Sequence, residues 1–144
     1  TSANGAVQTS NIFDMTTSME IVGSGSQVSP EMYQQQVAPT LVGFGKKDPS
    51  GTCPVCRELT PELNYGFGVV LNGDWITQTK SFYGSSASGG YLPSQKLTIS
   101  VIANTAQDGF GPDGAYLNQN ASFSIFTDIA NLVAPGLAPP PRSG

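Results

Sequence analysis

The sequence contains no histidine and few charged residues, with six basic and ten acidic side chains among 144 residues. Charged residues form 11% of the chain, whereas about a quarter is usual in a globular protein. Histidine and clustered carboxylates carry most proton transfer, nucleophile activation and metal binding. Their scarcity predicts that the protein is not an enzyme and needs no cofactor.

Long apolar runs and basic clusters are also absent from the sequence. No apolar run approaches the roughly 20 residues that a membrane-spanning helix needs. Six basic residues scattered along the chain cannot form a groove that follows a phosphate backbone. We therefore expect no membrane span and no nucleic-acid partner.

The first residue is Thr1 rather than methionine. Removal of an initiator methionine, removal of a signal peptide and cleavage by a maturation protease are the three explanations. The first is favoured because no basic and apolar leader is visible at the start. Removal of methionine predicts synthesis in the cytosol, which permits incorporation into a particle there.

The two cysteines lie close together, as Cys53 and Cys56 in a Cys-Pro-Val-Cys motif. The motif resembles one half of a rubredoxin or zinc-ribbon site, which needs four ligands. With no further cysteine and no histidine, such a metal site would have to be shared between subunits or completed by carboxylates. A thioredoxin-like redox pair would need a βαβ unit, which the pattern does not indicate. The favoured interpretation is a structural pair in a loop, either a local disulfide or two free thiols.

A second candidate metal site is the acidic pair Asp108 and Asp113 within a glycine-rich segment. These residues could supply oxygen ligands to a hard cation such as calcium. The segment lacks the longer acidic series of an EF-hand loop. Asp-Gly pairs are also common in turns, and a turn is the favoured interpretation.

Most of the chain is patterned as short strands between Gly, Pro and Asn turns. Ser29 and Pro30 are typical of a helix start, so a helix of about two turns is predicted to end before Pro39. Segment 84–90 is predicted as a loop because it contains only Gly, Ser and Ala. Strands are predicted at 12–22, 40–44, 96–103 and 121–126.

A β-hairpin is predicted around Asn72-Gly73, since this pair favours a two-residue type I′ turn. In that register Leu71 faces Asp74 and Val70 faces Trp75.

Together these patterns predict a mainly β protein with one short helix, an antiparallel β-sandwich or jelly-roll-like single domain. The domain is predicted to span 12–133. An N-terminal arm at 1–11 and a proline-rich C-terminal arm at 134–144 are predicted to extend from it.

The favoured function is a structural subunit of a larger assembly, such as a virion capsid, decoration or fibre protein or a surface filament. Interfaces between subunits favour a low content of charge. The partners would be copies of the chain or other subunits, joined by arms or by strands added to open sheet edges. This function predicts a location in a virion or on the extracellular surface.

The alternative function is an extracellular adhesin or carbohydrate-binding module with a glycan as partner. Its binding residues would be the aromatic side chains Trp75, Tyr83 and Tyr91, which could stack on sugar rings. For Trp75 the competing interpretation, that its side chain belongs to the hydrophobic core, is favoured.

Overall fold

The computed structural model describes residues 10–53, 56–82, 84–115, 117 and 120–140. No helix in these ranges is long and apolar enough to cross a membrane. Short 3-10 turns lie at Pro93–Gln95 and Gln107–Gly109. The helices are α1 (Ile12–Ser24), α2 (Pro30–Gln36) and α3 (Ala121–Val133), and the strands are β1 (Leu63–Tyr65), β2 (Val70–Asn72), β3 (Trp75–Phe82), β4 (Ser85–Leu92) and β5 (Leu97–Asn104).

The five strands form one antiparallel sheet in the order β1-β2-β3-β4-β5. The antiparallel sheet predicted from the sequence is therefore confirmed. A sandwich or jelly roll needs a second sheet, and none occurs within the described ranges. Three α-helices, rather than one short helix, accompany the sheet.

Strand β4 lies inside the sheet, between β3 and β5, so the loop predicted at 84–90 is wrong. Its small residues let two helices approach. A β-carbon on Gly89 would lie 2.6 Å from Cγ of Met19 in α1, and one on Gly90 would lie 2.5 Å from Cζ of Phe126 in α3. Neighbouring residues of a strand point to opposite faces. Helices α1 and α3 therefore cover opposite faces of the sheet.

Helix α1 replaces the strand predicted at 12–22, and its end signals explain the difference. The side chain of Asn11 accepts hydrogen bonds from the first turn of the helix, and Gly25 ends it with a positive φ of 67°. Met15 and Met19 both approach Gly89, four residues apart on one helix face. The serines and threonines of this segment obscure the helical pattern in the sequence. Contact with the sheet determines which face of the helix is buried.

Helix α3 replaces the strand predicted at 121–126. Phe123, Phe126 and Ala130 are buried at helical spacing, whereas Ile125 is 44% exposed. A strand would place Phe123 and Ile125 on one face, and a window this short does not separate that period from the helical one.

Residues 40–44 form turns instead of the predicted strand. The amides of Val42 and Phe44 donate to the carbonyls of Pro39 and Leu41. Gly43 then takes a positive φ of 83°, which a strand does not allow.

Two local predictions are confirmed. Ser29 caps α2 by accepting from the amide of Met32 at 3.3 Å, and Pro30 is the first helical residue. Strand β5, at Leu97–Asn104, matches the strand predicted at 96–103, with Ile99 and Val101 buried.

The hairpin exists, but its turn lies one residue further along the chain than predicted, which shifts the strand pairing by two residues. Asn72 pairs with Trp75 and Leu71 pairs with Ile76, so the loop is Gly73 and Asp74. Of the residues near this turn, only Gly73 has a positive φ, 58°. Glycine in the first loop position favours a type II′ turn. Asn72 therefore stays in the strand.

The main core lies between the sheet and α3. The rings of Trp75 and Phe126 meet edge to face with centroids 5.1 Å apart, and Phe123 stacks on Phe126 at 5.8 Å. Residues 134–140 fold back along this face, where Leu137 and Ala138 pack against the core. Most of the predicted N-terminal arm lies outside the described residues.

Candidate functional site

Cys53 and Cys56 form a disulfide bond with each other. Disulfide sulfurs are not thiolates, so this pair would have to be reduced before it could bind a metal. The carboxylate of Asp48 holds the loop by accepting from the amide of Cys53 at 2.7 Å and from the hydroxyl of Ser50 at 2.7 Å. These hydrogen bonds, with that from the Ser50 hydroxyl foremost, lower the pKa of Asp48.

The two acids predicted as cation ligands lie on an exposed segment. Asp108 is part of a 3-10 turn, and Asp113 accepts from the amide of Ala115 at 3.0 Å, as in a turn. Across the part of the chain that the structure describes, no group of three or more Cys, Asp or Glu side chains could hold a metal ion.

The aromatic residues predicted for sugar stacking are largely in the core. Trp75 is 1% exposed and Tyr91 is 6% exposed. Tyr83 lies outside the described residues. A sugar ring could reach Trp75 or Tyr91 only if the fold opened.

Exposed apolar side chains instead line two surface grooves. The first, which we call the α2 groove, has a volume of about 280 Å³. Met32 and Phe67 are 56% and 72% exposed there. The lining residues are Val28, Met32, Gln35, Gln36 and Phe67.

Hydrogen bonds hold the α2 groove in shape. The amide of Phe67 donates to the carbonyl of Gln36 at 2.9 Å, and the Gln36 side chain donates to the carbonyl of Phe67 at 3.4 Å. The hydroxyl of Tyr33 donates to the carbonyl of Gly23 and so ties α2 to α1. Burial, with a smaller effect of Tyr91, raises the pKa of Tyr33 and keeps this donor protonated.

The second groove, which we call the disulfide groove, has a volume of about 400 Å³. Its wall is a short backbone ladder, in which the amide of Gly43 donates to Leu59 at 2.7 Å and the amide of Leu59 donates to Phe44 at 2.8 Å. Phe44 is 70% exposed and Tyr65 is 49% exposed. The lining residues are Phe44, Gly45, Cys56, Arg57, Leu59, Leu63, Tyr65 and Val70.

Apolar side chains make up much of the lining of both grooves. Sequence reasoning missed Phe44 and Phe67 because each stands alone among glycines and carries no motif. The signal that could have identified them is a large aromatic residue between glycines, where no strand or helix can bury it.

Comparisons with protein families, with curated proteins and with solved structures found no match for this chain.

Proposed function

We propose that the protein is a non-enzymatic structural subunit of a larger assembly, a virion or a surface filament, and that the two grooves are contacts between subunits. The observation that carries the proposal is the exposure of Phe44 and Phe67, at 70% and 72%. Each lies in a groove with further exposed apolar side chains, and grouped apolar surface is typical of interaction sites.

The surroundings of the grooves support the same function. Glu31, Lys46, Lys47 and Glu62 are exposed and adjacent in sequence to groove residues. An apolar centre with a charged rim is the usual arrangement of a protein interface. The most exposed large apolar side chains of the two grooves belong to aromatic residues and methionine. These residue types are enriched in interfaces.

No similar support exists for the alternative function in carbohydrate binding. Trp75 and Tyr91 are buried, so their rings would not meet a sugar. Among the described residues that line the two grooves, the only amide side chains are those of Gln35 and Gln36.

The native mass, measured by light scattering after size exclusion, tests the proposal. We expect a multiple of the 15.0 kDa chain mass. Phe67→Gln should weaken association at least tenfold. Phe13→Gln is the matched control, because Phe13 on α1 is also a highly exposed phenylalanine, at 79%. A monomer at every concentration, or equal effects of both substitutions, would overturn self-assembly through the grooves.

A further inference from the structure

Strand β5 forms one edge of the sheet over its whole length. It pairs with β4 without interruption, from Ser85 opposite Asn104 to Leu92 opposite Leu97. No other strand of the described chain pairs with its outer side. The edge therefore presents eight residues of extended backbone.

The backbone groups that point outward can be assigned from one hydrogen bond. The amide of Thr105 donates to the carbonyl of Gly84 at 2.9 Å, one position beyond the last pair of the ladder. Antiparallel ladders alternate between bonded and non-bonded pairs. The amides and carbonyls of Thr98, Ser100 and Ile102 therefore point away from β4.

Strand β5 has none of the devices that normally protect a sheet edge. Segment 97–104 contains no charged residue, no proline and no glycine, and its register with β4 has no bulge. Protein edges are usually blunted by such features. Helices α1 and α3 both pack against β5, so this edge strand is covered on both faces as an interior strand would be.

A side chain at the same place also lacks a partner. The hydroxyl of Ser100 is buried without a hydrogen bond. Ser100 is the middle one of the three residues whose backbone points outward. A hydroxyl or amide on a neighbouring strand would lie directly opposite and could satisfy it.

We propose that β5 docks an extended strand of another polypeptide. The occupant is an uncharged segment of at least five residues. Its apolar side chains continue the face of Ile99 and Val101, and a hydroxyl or amide residue stands opposite Ser100. This inference deepens the proposed function, on which it rests, by naming a second contact.

The probe is a synthetic peptide with the sequence of residues 97–104, which is uncharged and has the required pattern. Amide exchange by NMR is followed in protein kept at a concentration where light scattering shows monomers. We expect the outward amides of Thr98, Ser100 and Ile102 to exchange at least tenfold faster than those of Ile99 and Val101. Saturating peptide should slow the outward amides at least tenfold. A control peptide with Ser100→Pro and Ile102→Pro should have no effect.

A pair of variants distinguishes peptide docking at the β5 edge from nonspecific binding of the peptide elsewhere on the surface. Ile102→Lys should weaken peptide binding at least tenfold, because a lysine blocks strand addition. Ile125→Lys should change it less than twofold, since Ile125 lies on α3 with nearly equal exposure, 44% against 43% for Ile102. Equal effects would contradict docking at β5.

Two results would overturn the inference: outward amides that are already as slow as the inner ones in the monomer, or outward amides that stay fast with saturating peptide. These failures differ from failure of the proposed function. A monomeric native mass contradicts self-assembly and leaves the peptide result unaffected.

Discussion

The indole Nε1 of Trp75 donates a hydrogen bond to the backbone carbonyl of Leu137, 62 residues further along the chain. Asn72, which pairs with Trp75 across the hairpin, donates to the carbonyl of Pro140 at 3.4 Å. These two side chains hold the C-terminal tail on the sheet. The tail in turn covers the edge of the main core.

Trp75→Phe tests the link between hairpin and tail. Phenylalanine keeps an aromatic ring but removes the donor, so the carbonyl of Leu137 loses its partner. We expect a loss of roughly 1–3 kcal/mol in the free energy of unfolding, measured in urea. Phe44→Leu, at an exposed site, should stay within about 0.5 kcal/mol of the wild type. Equal stability of both variants would contradict a stabilising role for the hydrogen bond from Trp75 to the carbonyl of Leu137.

Gly90→Ala and Gly89→Ala compare the two faces of β4. A β-carbon on Gly90 meets the ring of Phe126, which is 0% exposed and cannot move aside. We expect Gly90→Ala to lower the free energy of unfolding by about 1–3 kcal/mol. Gly89→Ala meets Met19, whose flexible side chain can adjust, and should cost less. Urea unfolding measures the loss of stability in both variants. A larger loss for Gly89→Ala than for Gly90→Ala would contradict the packing described.

Ser88 and Ser122 share a buried hydrogen bond of 2.9 Å between β4 and α3. Removing one hydroxyl leaves the other without this partner, so Ser88→Ala and Ser122→Ala should each lower the free energy of unfolding by roughly 1–3 kcal/mol. The double variant should cost less than the two single effects added. A double-mutant cycle in urea measures this coupling, and strict additivity would show that the two hydroxyls act independently.

The lowered pKa of Asp48 predicts that the stability of the disulfide loop depends on pH. Its pKa is lowered in the folded protein, first by the hydroxyl of Ser50. The stabilisation is therefore fully present above the ordinary pKa of about 4 and is lost as the pH falls through the lowered value. Ser50→Ala should raise the pKa of Asp48 in an NMR titration. Ser94→Ala, at an exposed serine in another loop, should leave it unchanged.

Helix starts and turns were predictable from sequence where the cause is local. Ser29 and Pro30 start a helix through their own backbone chemistry, and a glycine is needed wherever the hairpin reverses. Strand β5 was predictable because Ile99 and Val101 alternate with Thr98 and Ser100, and one buried face is enough to produce that pattern.

The grooves could not be predicted in the same way. Phe44 and Phe67 lie far apart in the sequence and line separate grooves. Each groove is built from segments that only the fold brings together. Among the site residues predicted from the sequence, the structure joins Cys53 to Cys56, while Asp113 takes part in a turn.

Local chemistry can be read from the residues alone: a low content of charge, an antiparallel sheet, the α2 start and the alternation of β5. The centre of the fold depends instead on contacts between segments that are distant in the chain. Segment 85–92 has the composition of a loop, yet it is the strand that α1 and α3 enclose. Its glycines have no strand preference of their own. They are selected because Met19 and Phe126 need the space, and those residues are distant in the sequence.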